Sequence, residues 1–290
     1  MAKVNVYKMV TDRIIDQLNK GIIPWEKPWT GVASGAYNRV TKKPYSLVNQ
    51  MILEHNGEYA TFKQWSNIGG KIKKGSKSEF VVFWKVYKKE VTNSNGDTVE
   101  KNIPILRYYN VFHISQVDGV EPLEKVKWNN VEPIEEADKI ISEYVNRTGL
   151  KFCEEVSNRA FYSPNMDKVV VPMKEQFKHS NEYYATTFHE LTHSTGHESR
   201  LNRLYRGRDA AFGSKEYSKE ELVAEIGSAT ILNMLGIETE RTFRNNVAYI
   251  QSWIQVLKND ERFVVSASSK AGKAVDYIMG ERVIDGIKPA

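Results

Sequence analysis

One cysteine, Cys153, stands in the 290 residues. That excludes an internal disulfide and any cysteine-based zinc site, and it suits a reducing compartment. Long apolar runs are also missing. The most conspicuous, Phe80–Trp84, is far too short to cross a bilayer, and the opening Met-Ala-Lys-Val-Asn-Val-Tyr-Lys has no apolar core of a signal peptide. The expectation is a soluble cytoplasmic protein with no membrane partner. No GxxxxGK[ST] loop occurs, so ATP hydrolysis is not indicated. Repeats and low-complexity tracts are absent too.

Histidine is scarce, at six residues, yet two fall in His189-Glu-Leu-Thr-His193. Histidines four apart on a helix project from one face, one turn apart, and both imidazoles can reach one Zn²⁺ without breaking the helix. Glu190, beside the first histidine, is placed to act as general base on a metal-activated water. Histidines that merely pack or face solvent are the bland alternative, and the context argues against it. Ser180 is a fitting N-cap for a helix through Asn181–Thr195, Gly196 a fitting stop, and Tyr184, Phe188 and Leu191 recur at helical spacing. The chemistry implied is metal-assisted hydrolysis, most often of peptide bonds, with Zn²⁺ first and Mn²⁺ or another divalent ion as substitutes.

A catalytic zinc site usually has three protein ligands. His197 continues the i, i+4, i+8 series but falls beyond Gly196. The metzincin pattern HExxHxxGxxH holds through Gly196 and fails at Ser199, where it needs histidine. Better candidates lie in Ser218-Lys-Glu-Glu-Leu-Val-Ala-Glu225, the start of a second helix on which Glu221 and Glu225 share a face. The E-x-x-A-E pattern resembles the second zinc helix of gluzincins, which makes Glu221 the ligand and Glu225 the residue that orients a histidine. Ser218-x-x-Glu221 is also a capping box, and that alternative makes Glu225 the ligand, with Glu221 the favoured one. Tyr217, Arg203 and His197 are candidates for stabilising an oxyanion, on proximity in sequence alone.

Charge divides the chain. Residues 1–120 hold 18 Lys/Arg against 10 Asp/Glu, and the rest hold 23 against 26. Such asymmetry points to a polyanion as partner of the first half. Lys71, Lys73, Lys74 and Lys77, then Lys85, Lys88 and Lys89, can track phosphates, while Trp25, Trp29 and Trp84 can stack on unpaired bases. This combination suits single-stranded DNA better than duplex. Against it, lysines on strands often only guard a sheet edge, and many aromatics are core.

The pattern predicts helices at Asn5–Asn19, Ser46–Glu54, Phe62–Asn67 and Pro133–Val145. Strands are expected at Glu79–Thr92 and Ile103–Gln116 around a turn at Asn93–Asp97. A hairpin of Arg159–Tyr162 and Lys168–Val171 is expected beside the cleft. The fold class is α+β. A small basic α+β N-terminal domain (1–120) precedes a linker (121–132) and the metal-binding domain (133–290).

These motifs together resemble the ArdC-type antirestriction proteins of plasmids and phages. The stretches carrying the resemblance are Pro24-Trp25 with Pro28-Trp29, Gly69–Gly75 leading into Val81–Trp84, Tyr109–Phe112, Tyr162-Ser-Pro164, Phe188–His197, Ser199–Arg203, Phe212-Gly213 and Glu220–Glu225. The resemblance implies a single-stranded-DNA-binding N-terminal domain and a zincin-like metallopeptidase domain. In the latter His189 and His193 bind metal, Glu190 is the acid/base, and a glutamate within Glu220–Glu225 completes the site. A protein substrate, a restriction enzyme among the candidates, is the further partner to expect. The rival readings are a non-catalytic DNA protector with a structural metal, and a metalloprotease whose basic half recruits protein.

Overall fold

The computed structural model describes residues 4–26, 35–92, 98–123, 133–204, 215–237 and 247–280. Helix α1 (Val6–Asn19) begins where the Asn5 side chain accepts from the Lys8 N–H at 3.2 Å. Its apolar positions Val10, Ile14 and Leu18 are buried, as their spacing predicts. Strand β1 (Ala36–Asn38), helix α2 (Leu47–Ile52), strand β2 (Gly57–Ala60) and helix α3 (Phe62–Asn67) follow. Thr61 and Gln64 close a capping box at the start of α3.

Strand β3 (Lys71–Ile72) pairs with β6 (Val117–Asp118) in a small sheet. Between them run β4 (Glu79–Thr92) and β5 (Thr98–His113), antiparallel from Glu79↔Val111 to Thr92↔Thr98. The expected turn at 93–97 lies outside the described residues. The larger sheet has the order β1-β2-β5-β4, but β2 meets β5 only at Phe112 and His113. Most of the hairpin therefore runs out as a two-stranded ribbon. Strand alternation puts Phe83, Lys85 and Tyr87 on one face with Ile105, Arg107 and Tyr109, and Trp84, Val86 and Lys88 on the other with Glu100 and Tyr108.

The second half opens with α4 (Pro133–Thr148) and a three-stranded sheet of β7 (Lys151–Glu155), β8 (Phe161–Ser163) and β9 (Lys168–Pro172). β9 is central, parallel to β7 and antiparallel to β8. The expected hairpin is thus present, with β8 displaced to Phe161–Ser163, and β7 adds a strand the pattern did not mark. Helices α5 (Ser180–Ser194), α6 (Lys215–Leu235), α7 (Val247–Asn259) and α8 (Phe263–Met279) complete the described fold. Ser180 is the first residue of α5 rather than its cap.

Packing crosses from one half to the other. Val10, Ile14, Leu18 and Trp25 share one apolar cluster with Leu222, Val223 and Ile226 of α6, Trp253 of α7 and Phe263 of α8. A second cluster, with Tyr144, Val169, Phe188, Leu191 and Ile231, lies between the three-stranded sheet and helices α4, α5, α6 and α8. Residues 124–132, most of the expected linker, lie outside the described residues. Trp25 corrects the stacking expectation. It is 1 % exposed and stands edge-on to Trp253, so its ring is core and closed to a nucleobase.

Candidate metal centre

Helix α5 carries His189, Glu190 and His193, and all three side chains are largely buried. The His189 and His193 Nε2 atoms stand 3.2 Å apart. Helix α6 brings Glu221 to face both, with one carboxylate oxygen 3.5 Å from His189 Nε2 and the other 3.4 Å from His193 Nε2. Three ligand atoms about 2.1 Å from one ion at tetrahedral angles stand about 3.4 Å apart. The histidine nitrogens and the nearest Glu221 oxygens lie close to that spacing, one ligand atom from each residue falls within 4.8 Å of the others, and among the described residues this is the one His/Cys/Asp/Glu group close enough to hold an ion. Two neutral imidazoles and a carboxylate suit a borderline divalent ion such as Zn²⁺ or Mn²⁺.

Each histidine also has a carboxylate beside its other nitrogen. Glu225 Oε1 lies 3.7 Å from His189 Nδ1, a buried atom with no hydrogen bond of its own. Glu220 Oε1 lies 3.7 Å from His193 Nδ1. Carboxylates so placed fix the ring orientation and tautomer of a ligand histidine. The capping-box alternative for Glu221 loses its basis, because α6 begins at Lys215 and places Ser218 inside the helix.

Glu220 and Arg203 form a linked support that spacing did not reveal. After α5 the chain folds back over the helix end, with the Arg203 and Leu204 N–H groups donating to the Gly196 carbonyl at 2.8 and 2.9 Å. A β-carbon on Gly196 would lie 2.8 Å from Leu204 Cγ, so this return needs glycine. Arg203 is thereby carried to Glu220, to which it donates at 2.7 Å, and to the Thr192 carbonyl and Thr195 hydroxyl at the end of α5. Its guanidinium is therefore engaged as a brace, which removes it from the oxyanion candidates. His197 bonds Ser199 Oγ at 2.8 Å beyond the helix and stands outside the cluster. The Tyr217 side chain lies outside the described residues.

Electrostatics follow from this crowding. Burial opposes charge on His193, but the Glu220 and Glu221 carboxylates beside its two ring nitrogens and the nearby Glu190 charge outweigh it and push its pKa up to about 10. Burial likewise acts to raise Glu220 and Glu221. The histidines, together with Arg203 for Glu220, overcome it and hold both carboxyls below the usual range.

A second brace ties α5 to the three-stranded sheet. Arg200, buried, donates from Nε to the Ser194 carbonyl at 2.7 Å and from Nη1 to Asp167 at 3.0 Å, at the β8–β9 turn.

The basic half contributes a different surface. Phe83, Trp84 and Tyr109 are exposed, and Lys85 and Arg107 each lie 5.3 Å over the Tyr87 ring. Lys71, Lys74 and Lys77 are on or beside β3, and Lys73 donates to the Ser115 carbonyl. Lys88 pairs with Glu100 at 2.7 Å. Trp29 and the Lys89 side chain lie outside the described residues. None of these lysines or tryptophans joins the metal cluster.

Comparison with known proteins agrees with this division. Residues 4–112 match the family model described as the N-terminal domain of anti-restriction factor ArdC, and residues 136–270 match that of a zincin-like metallopeptidase. Two Escherichia coli proteins named DNA primase TraC are 34% identical over 94% of this chain, but the matched part is only 20% and 27% of their length. The chain thus spans about a fifth and about a quarter of those relatives. The uncharacterized protein y4eC of Sinorhizobium fredii is 30% identical, with 96% of this chain and 92% of y4eC covered. Crystal structures of the antirestriction ArdC protein from the R388 plasmid, one metal-free and one Mn(II)-bound, superpose with TM-scores of 0.73 and 0.71 at 30% identity. Both cover 95% of this chain and 97% of the solved one. An ArdC N-terminal domain, a zincin-like domain carrying the two-histidine, one-glutamate cluster, and full-length likeness to ArdC place the chain in the ArdC antirestriction family.

Proposed function

We propose that this protein binds single-stranded DNA through its basic half and uses a divalent-metal site in its second half to hydrolyse a peptide bond in a protein substrate. One observation carries the hydrolytic reading: the convergence of His189 Nε2, His193 Nε2 and Glu221 at ligand spacing. On this reading the three residues hold Zn²⁺ or Mn²⁺, which when bound lowers the pKa of a water and polarises a carbonyl. Glu190 takes the proton from the attacking water and returns it to the departing amine. Glu225 and Glu220 keep the imidazoles turned toward the ion. DNA binding is supported by the exposed Phe83, Tyr109, Lys85 and Arg107 on one face of the ribbon, with cations for phosphates and rings for bases.

A non-catalytic protector is the second reading, because the ribbon and the metal cluster share no residue. Wild type and Glu190→Ala, compared for protection of transferred DNA against restriction in cells, separate the two. Hydrolysis predicts that Glu190→Ala loses protection while metal content and DNA affinity stay unchanged. Equal protection by both proteins overturns the hydrolytic reading and leaves shielding of DNA as the mechanism.

A further inference from the structure

A solvent-open cleft of about 210 Å³ lies between α6, α8 and the turn that precedes α8, on the side of α6 away from the metal cluster. Val223, Phe263 and Ala267 form an apolar floor, each at most 3 % exposed. Three cations line the cleft: Lys219, Arg262 and Lys270. The lining holds one carboxylate, Asp260, which pairs with Lys219 at 3.5 Å and accepts from the Arg262 N–H at 3.1 Å. The neighbouring Glu261 accepts from the Asn5 amide. Among the described residues no carboxylate pairs with the Arg262 guanidinium or the Lys270 ammonium. Among the described residues, positive charge here exceeds its carboxylate partners.

The cleft also adjoins the ribbon. The Arg262 guanidinium lies 5.1 Å over the Tyr7 ring, and Tyr7 meets Trp84 edge-on at 6.1 Å. Trp84 is 49 % exposed. On its own face of the ribbon the described cation is Lys88, already tied to Glu100. A base stacked on Trp84 would carry phosphates that this face does not neutralise. Among the described residues, cations without a carboxylate partner, Arg262 and Lys270, lie across Tyr7 in the second half of the chain.

The geometry points to a phosphate-binding cleft formed by Arg262, Lys270 and Lys219, which takes the backbone of a nucleic-acid single strand whose neighbouring base stacks on Trp84. The strand then spans both halves of the protein instead of resting on the first alone. This inference rests on the DNA-binding reading above and deepens it, because it assigns contacts to a region outside the basic half.

The test is fluorescence anisotropy with an oligothymidylate of about 16 nucleotides across a salt series. The proteins are wild type, the cleft variant Arg262→Gln/Lys270→Gln, the ribbon variant Phe83→Ala/Arg107→Gln, and Trp84→Ala. Each neutralised phosphate contributes a salt slope of about 0.7 on a single strand. The cleft variant should bind roughly tenfold more weakly at low salt, with a slope smaller by about 1.4. Trp84→Ala should weaken binding with the slope unchanged, and Arg262→Lys/Lys270→Arg should restore wild-type behaviour. If wild type and the cleft variant give the same affinity and slope while the ribbon variant is weakened, the cleft is overturned and the DNA-binding reading stands. If wild type itself does not bind, both fall. If inorganic phosphate at millimolar concentration competes but the slope is unaltered in the cleft variant, the cleft holds a free anion and the strand path is overturned.

Discussion

His193 is pressed by carboxylates on both ring nitrogens, with Glu221 at Nε2 and Glu220 at Nδ1. These neighbours stabilise its imidazolium, so in the chain alone the ring stays protonated up to about pH 10. A metal ion at Nε2 must displace that proton. The sign follows: below pH 10 metal and proton compete, so apparent metal affinity rises as pH rises, by about tenfold per unit for one displaced proton. Chelator competition at pH 6, 7 and 8 should show this rise. A flat profile would mean that His193 binds no metal or is already neutral. The same carboxylates that oppose binding at low pH hold the rings in place once the ion is bound.

At the scale of elements, α6 performs two tasks on two faces. Glu221 and Glu225 look toward α5, while Leu222, Val223 and Ile226 look into the apolar cluster built with α1, Trp25 and α8. Close approach of α5 and α6 depends on Gly227. A β-carbon there would stand 2.7 Å from Thr192 Cγ2, and Thr192 lies within the metal-binding pentad. Gly227→Ala should destabilise the fold by about 1–3 kcal/mol through overpacking. It should also weaken metal retention by moving Glu221 away from the histidines. Adding Thr192→Ala should recover most of both losses, because it vacates the clashing atoms and gives up only a hydrogen bond within the helix to the Phe188 carbonyl. Urea denaturation and metal content of the two variants test this.

Some elements were legible in the sequence for a local reason. The pentad, the Glu221/Glu225 pair, Val10/Ile14/Leu18 and the long hairpin each express a single helical or strand period. The support on the His193 side was not legible. Arg203 reaches Glu220 only because the chain returns over Gly196, and a return path leaves no period. Trp25, flanked by Pro24 and Glu26, has the local pattern of an exposed aromatic loop. Its burial is decided by Trp253, more than two hundred residues away. The capping box at Ser218 was a local match overruled by a helix that starts earlier.

At the scale of the molecule, the two family matches, 4–112 and 136–270, meet in one apolar cluster. Burying a large aliphatic side chain stabilises by roughly 1.5–3 kcal/mol. Leu222, Val223 and Ile226, at most 1 % exposed, draw part of that from α1 and Trp25. Against a typical total stability of about 5–15 kcal/mol, loss of that cover is serious. A fragment of residues 133–290 should therefore be less soluble and retain less metal than the whole chain, and adding residues 1–132 in trans should partly restore both. Gel filtration with metal analysis decides it, and a fragment as stable as the full chain would refute it.

That shared cluster bears on inheritance. The TraC relatives carry a counterpart of 94% of this chain inside much longer proteins, so the two halves travel together there. By sequence, residues 121–132 are the natural place for recombination to exchange one half for another. A crossover there would seat α1 and Trp25 of one lineage against α6 and α7 of another, joining surfaces that had not been selected together. The segment that is easiest to cut in the sequence is thus a costly place to shuffle the gene.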